Sequence, residues 1–376
     1  MSSWIKNINL EGDKTIWGVV LVLSLFSVVV VYSTAGWHSL FNHITKLLLG
    51  LFAMYVVHKI KFKYFSKLGQ IGFIFSLVLL VLVLLIGVSI NGASRWLQIA
   101  GQQFQPSDVA KLTILIFMAR QISKHREYLN DLKDLIWYVL GPLVLVCLLI
   151  LPNNFSTAAL VLINGLVLMF VGKIRIKFIA GIIGVAFVGT LTIYSAAKFT
   201  PLGTKIMPRS ATWVSRIDSF FIDAEGDEQT KDFQQTQALV AIQNGGVTGV
   251  GPGKSTQRSI LPYSSSDFIY AIIIEEYGLI GGVMALLFYL ILMFRAIRIA
   301  LRVESVFGSL LTIGLMFSLV FQALINMLVS VEIMPVTGQT LPLISMGGTS
   351  IVFSCIAIGI VLSVSRDATD RTYEKA

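Results

Sequence analysis

The sequence predicts an all-α polytopic membrane protein, and three observations carry that reading. Of 376 residues, 55% are hydrophobic and 13% charged, with a mean hydropathy of +0.80. A soluble domain of this length carries about twice that share of charge. The apolar stretches run to about 20 residues, the length of a membrane-spanning helix and not the ten-residue alternation of a barrel. The lysines and arginines cluster in short loops beside those stretches, which is a topology signal. The net charge of +9 therefore calls for no nucleic acid.

Ten spans are expected, at about 15–32, 42–57, 71–89, 106–120, 135–151, 155–171, 178–197, 267–294, 307–328 and 350–364. The first is too long for the apolar core of a signal peptide and lacks a small-residue cleavage site. Basic residues concentrate in the head, at 59–67, 120–133, 173–177, 295–302 and in the tail. The positive-inside tendency then puts both termini in the cytoplasm. Residues 198–266 become the large extracytoplasmic loop of a single domain, 1–376. Within that loop, 233–244 has the periodicity of a short amphipathic helix. Residues 91–111 read as an interfacial segment, with Pro106 at an allowed early helix position. Pro335, Gly338 and Pro342 mark a stiff, turn-rich loop. Cys147 and Cys355 fall inside apolar spans and read as small buried residues.

The polar motifs gather on the outer side of this map. Asp267 stands where the eighth span begins, and Glu275 and Glu276 lie two turns further in. Carboxylates at such depth face a protein interior or a polar cavity and mark function by default. The bland alternative for Asp267 is a helix cap. At about 100° per residue, Glu275 lies about 80° and Glu276 about 180° round the helix from it, so the three cannot share one face. The stretch GPGKS, 251–255, invites comparison with a phosphate loop. Thr248 stands where that motif needs its first glycine, and the segment is on the wrong side for a nucleotide. Its glycines and Lys254 still suit an anionic headgroup. His38, His43, His58 and His125 are too scattered for zinc. The acids between Asp218 and Asp232 lack the register of a calcium loop.

Three gapped motifs in fixed order identify the chain as similar to the SEDS family, the shape, elongation, division and sporulation proteins. They are NGASRW (91–96) followed by FQPSDVAK (104–111); LPYSSSDFIYA (261–271) followed by EEYG (275–278); and PVTGQTLPLISMGGTS (335–350). The resemblance spans about residues 12 to 366. It departs at 152–158, PNNFSTA, where many members carry an acid and a glycine, and at Tyr263, where many carry glutamate. The stretch 251–258 and the basic tail resemble the division members more than the elongation members.

The resemblance implies a peptidoglycan glycosyltransferase that polymerises lipid II at the outer face of the membrane. The 4-hydroxyl of one lipid-linked sugar attacks C1 of another, the anomeric centre inverts, and undecaprenyl pyrophosphate leaves. Inversion calls for one base behind the hydroxyl and charge stabilisation at the leaving side. Asp267 is the implied base. Arg95, Lys111, Arg216, Lys254 and Arg258 are candidate cations for the pyrophosphate, alongside a divalent ion such as Mg or Mn. Trp96, Gln257, Ser266, Glu275, Thr337, Ser345, Gly347 and Gly348 complete the expected substrate-binding set. The implied partners are a class B penicillin-binding protein, which is a transpeptidase, and other division proteins. The competing functions are a lipid II flippase, an elongation-type polymerase and a division scaffold. A scaffold has no need of Asp267, and a flippase would not crowd its polar motifs onto one surface.

Overall fold

The computed structural model describes residues 11–90, 93–99, 101–200, 209–221 and 233–374. The expected acids at 223–232 lie outside them. Eleven helices follow one another among these residues: α1 Lys14–Lys59, α2 Phe65–Ile86, α3 Pro106–Lys124, α4 Leu132–Ile150, α5 Phe155–Val171, α6 Ile176–Phe199, α7 Ser210–Phe221, α8 Phe233–Gly245, α9 Ile269–Arg302, α10 Val306–Ser330 and α11 Ser350–Glu374. Several helices start at a side-chain cap that the sequence offers. The Asp13 carboxylate accepts from the amides of Thr15 and Ile16 at 2.9 and 3.1 Å, and Asn154 Oδ1 accepts from Thr157 at 3.1 Å.

Seven of these helices are long and apolar enough to cross a membrane, not the ten expected. The difference has three sources. The first two expected spans join, with no loop between them, in one helical element, α1. The fourth, α3, carries Ser107, Asp108, Lys111, Thr113 and Arg120 and is too polar to qualify, and the sixth, α5, has 17 residues. The all-α expectation also needs a small amendment. Three short strands, β1 Val88–Ile90, β2 Ala93–Ile99 and β3 Gln102–Phe104, form an antiparallel sheet that takes up the end of the expected third span and the first part of the segment expected at the interface, 91–111. Helix α8 matches the amphipathic segment anticipated at 233–244, while α7 was not anticipated.

Two glycines reverse the chain. In α1, Gly36 has φ 71°, and beyond it the helix folds back. Ser27 Oγ then lies 2.6 Å from His43 Nε2, and the rings of Trp17 and His58 meet at 5.2 Å. In α9, Gly278 has φ 70°. A Cβ placed on Gly282 would lie 2.8 Å from Ile274 Cγ1 and 3.1 Å from Tyr270 Oη, so 279–302 returns alongside 269–277. The eighth span is therefore not one helix opening at Asp267. A short helix, 269–277, rises to Gly278, and the long leg descends beside it. Phe268 occupies the N-cap position and makes no side-chain capping bond, so Asp267 is not the cap.

This reversal fixes the level of Asp267. Ser33, just before Gly36, donates to Glu276, just before Gly278, so both turns sit at one end of the bundle. Ser27 is about 13 Å below Gly36, at about 1.5 Å of rise per residue, and it donates to the Ile344 carbonyl at 2.9 Å. Ser345, next in the chain, donates to the Ser266 carbonyl at 2.6 Å. The irregular segments around Asp267 and Ile344 thus sit well inside the bundle.

The two turns predict different costs. A Cβ at Gly278 would lie 2.1 Å from the Val247 carbonyl oxygen, whereas one at Gly36 meets nothing within 4 Å. Gly36→Ala should cost only the backbone term of an extended, positive-φ conformation that is essentially reserved for glycine, roughly 1–3 kcal/mol. Gly278→Ala should cost clearly more and lower the melting temperature further, as read by thermal unfolding in detergent. Equal shifts would contradict the close packing of the 247–249 loop on this turn.

Candidate active site

Asp267 opens on a cavity of about 780 Å³. Its walls come from the second leg of α1, from β2 and β3, from α7, and from the turns at 263–267, 336–340 and 346–348. Neither Asp267 nor the loop opposite has helical support of its own, so each is held by the other. Asn326 Nδ2 donates to the carbonyls of both Asp267 and Gln339 at 2.7 Å. The Met346 amide donates to the Ser265 carbonyl at 2.8 Å. The Ser345 hydroxyl accepts from the Leu341 amide at 2.8 Å while it holds Ser266. Gly338, at φ 67°, lets the loop pass the carboxylate, and a Cβ there would lie 3.6 Å from Asp267 Oδ2.

The electrostatics follow from that placement. Burial pushes the Asp267 carboxyl up to about 6, against the opposing pull of Arg216 and Arg95. Arg216 Nη1 donates to the Val336 carbonyl at 2.9 Å, and Arg95 Nε donates to the Asn153 carbonyl at 2.7 Å. Burial, together with Arg209 and Arg216, brings the Arg95 guanidinium down to about 10. Arg209 lines the same cavity. One carboxylate and three arginines share this space, an arrangement suited to proton removal beside a polyanionic leaving group.

Of the expected site residues, Arg95, Trp96, Arg216, Ser266, Asp267, Gly347 and Gly348 line the cavity. Others lie elsewhere. Lys111 pairs with Asp108 at 3.3 Å and donates to Gln322 Oε1 at 2.9 Å. Gln322 in turn donates to the Thr340 carbonyl at 2.9 Å, so Lys111 reaches the cavity wall only through other residues. Ser345 is the brace already described. Thr337 is half-buried between two lining residues, and its side chain is not on the wall.

Lys254, Gln257, Arg258 and Glu275 belong to a separate knot at the Gly278 end. The Glu275 carboxylate accepts from Ser255, from the Thr256 amide at 3.1 Å and hydroxyl at 2.9 Å, and from the Gln257 amide. The loop amides of Val250 and Gly251 donate to the carbonyls of Glu275 and Glu276 at 2.9 and 3.0 Å. Arg258 donates to the Ser33 carbonyl at 2.9 Å. The glycines of this loop serve close approach to a helix end, since a Cβ on Gly249 would lie 2.3 Å from the Glu276 carbonyl oxygen. Of the described residues lining the cavity, Asp267 is the one carboxylate. The described residues hold no cluster of three metal-binding side chains. This donor set does not fit a cation held by the protein alone.

Sequence reasoning missed part of the site. Ser39, Asn42, His43 and Lys46 also line the cavity, and their spacing of i, i+3, i+4 and i+7 on an apolar helix was the available signal. Asn153 and Asn154, which stand where an acid was expected, hold Arg95 and line the cavity respectively.

The Glu275 knot makes a prediction that separates structure from chemistry. Glu275→Ala leaves several buried donors unsatisfied, each costing about 1–3 kcal/mol, and should lower the melting temperature strongly. Asp267→Asn should leave it near wild type, because no described residue hydrogen-bonds that carboxylate. Thermal unfolding of the two variants side by side checks both.

Comparison with known proteins agrees with this geometry. The cell cycle protein family of FtsW, RodA and SpoVE matches residues 11–370. The probable peptidoglycan glycosyltransferase FtsW of Methylomonas methanica is 33% identical over 88% of this chain and 83% of its own. The stage V sporulation protein E of Bacillus subtilis is 31% identical over 93% of this chain and 95% of its own. A chain from a peptidoglycan synthase complex that coordinates polymerization and crosslinking superposes with a TM-score of 0.78 at 25% identity, over 95% of this chain and 98% of that one. The rod shape determining protein RodA of Thermus thermophilus superposes with a TM-score of 0.67 at 25% identity, over 95% and 97%. By the family match along nearly its whole length, the chain belongs to the FtsW, RodA and SpoVE family of polytopic membrane proteins.

Proposed function

We propose that this protein is a peptidoglycan glycosyltransferase in which Asp267 is the general base. The observation that carries the reading is a carboxylate, the one such group among the described lining residues, facing a cavity shared with three arginines, in a member of this family. Lipid II is the proposed substrate. Asp267 takes the proton of the acceptor 4-hydroxyl as its oxygen bonds to the donor C1. The C1–O bond to the diphosphate breaks, and undecaprenyl pyrophosphate leaves with the bonding pair. Arg95, Arg209 and Arg216 stabilise that charge.

The proposed topology puts both termini in the cytoplasm and residues 198–266 outside, following the basic loops. The cavity then opens toward the outer leaflet, where the lipid-linked sugars are. The proposed site of action is the cytoplasmic membrane at the division septum, on the resemblance to the division members of the family.

The proposed partner is a crosslinking penicillin-binding protein, on the likeness to a chain of a synthase complex. The apolar faces of 272–292 and 307–328 and the large loop offer themselves as the docking surface, and burial narrows the choice on the two helices. Residues 272–276 are buried, and most of the apolar window of α10 is buried inside the bundle. On the long leg of α9, Val283, Leu287, Leu290, Ile291 and Phe294 stay exposed. A photo-crosslinking residue at Val283 or Leu287 should capture the transpeptidase, and one at Ala285, which is buried, should not. Capture from Ala285 alone would displace the proposed surface.

The chemical test is polymerisation of fluorescent lipid II by the purified complex, with the transpeptidase blocked by penicillin. Asp267→Asn should lower the rate by a factor of about 10² to 10⁴ while retaining partner binding. Long chains at near wild-type rate would remove Asp267 as the base. The wild-type rate should rise with pH through about 6, since the base acts only when ionised. Arg216 holds the Asp267 carboxyl down, so Arg216→Gln should move that rising limb to higher pH. A limb that stays in place or moves down would contradict the assignment of the limb to Asp267.

A further inference from the structure

The second leg of α1 carries a polar stripe to which the reaction above gives no task. Ser39, Asn42, His43 and Lys46 share one helix face and all line the cavity. Lys46 lies about 15 Å below the Gly36 turn, at about 1.5 Å of rise per residue. A cation at such depth requires a polar cavity or an anion, and no described carboxylate pairs with it.

His43 is 1% exposed. Ser27 Oγ lies 2.6 Å from His43 Nε2 and 2.9 Å from the Ile344 carbonyl oxygen, which ties this leg to the loop at 344. The face thus presents one positive charge and the polar groups of Ser39 and Asn42 to the cavity.

Joining two lipid-linked sugars brings two diphosphates into one cavity, and like charges must be kept apart. The arginines beside Asp267 stand on one set of walls, tied to Asn153 and Val336. Lys46 stands on the wall of α1, and the cations that act on Asp267 are Arg216 and Arg95. The diphosphate that leaves must be next to the reacting carbon. The acceptor's own diphosphate is two sugar rings away from its attacking hydroxyl. We propose that Ser39, Asn42 and Lys46 form a second diphosphate subsite, which holds the acceptor lipid, with His43 bracing this face from behind. This rests on the glycosyltransferase reading.

Native mass spectrometry of the full chain with undecaprenyl pyrophosphate tests it. Wild type should bind two equivalents, Lys46→Met one, and Lys46→Arg two. Inorganic pyrophosphate should displace one equivalent from wild type and none of the remaining one from Lys46→Met at the same concentration. In the complex, Lys46→Met should raise KM for lipid II by tenfold or more with a much smaller change in kcat. A melting temperature near wild type for Lys46→Met shows that the loss is not misfolding. The same stoichiometry for wild type and Lys46→Met, or an unchanged KM, overturns the subsite. Pyrophosphate that displaces nothing from wild type overturns the diphosphate assignment. A wild type that binds two equivalents yet makes no glycan overturns the glycosyltransferase reading and leaves the subsite standing.

Discussion

Backbone inside a bilayer must find its hydrogen bonds within the protein, and this structure depends on how two irregular segments meet that requirement. The turns at 263–268 and the loop at 335–349 both lie within the bundle, and neither can satisfy its carbonyls by helix formation. They satisfy each other. Met346 and Ser345 hold Ser265 and Ser266, and Asn326 bridges Asp267 and Gln339. Ser27 and Tyr289 close the far side by donating to Ile344 and Pro342. Non-helical backbone at this depth is tolerated where it is buried in protein or lines a cavity. The catalytic candidate therefore sits where helices are interrupted, on a frame that the neighbouring helices brace.

Much of this was legible in the sequence. The apolar runs, the Pro and Gly signals around 335–348 and the carboxylate at 267 all marked the right segments. What composition could not show was the sharpness of two reversals. Gly36 and Gly278 look like ordinary glycines, yet each turns the chain back on itself. The first does in one residue what a short loop at 32–41 was expected to do. Overlooking the second placed Glu275 and Glu276 deeper than Asp267, when the short rising helix puts them nearer the Gly278 end. Burial of a carboxylate was read as a sign of function, and in Glu275 it accompanies a saturated hydrogen-bond knot instead. The distinction lies in partners: loop donors converge on Glu275, and no described residue donates to the Asp267 side chain.

The cationic candidates sort by the same criterion. A membrane-embedded cation must find either an anion or polar space. Lys111 finds Asp108 and Gln322, and so works as a strut to Thr340 at the cavity wall. Arg258 donates to the Ser33 carbonyl and locks the Gly278 turn to the first hairpin. Arg95 and Arg216 donate to backbone carbonyls yet still face the cavity. That dual use orients each guanidinium without neutralising it, because a carbonyl is a dipole and not a counter-charge.

Retaining positive charge in this way constrains Asp267 as well as serving it. Burial disfavours the ionised carboxyl, while full pairing with an arginine would favour it and weaken it as a base. The structure holds it between these limits. Desolvation raises it, Arg216 and Arg95 lower it, and the balance falls at about 6. A base with a pKa just below the working pH is ionised and still basic enough to accept a proton in the transition state. In the proposed reaction the arginines act at both ends: they favour the ionised base before the diphosphate arrives and take up its charge as it leaves.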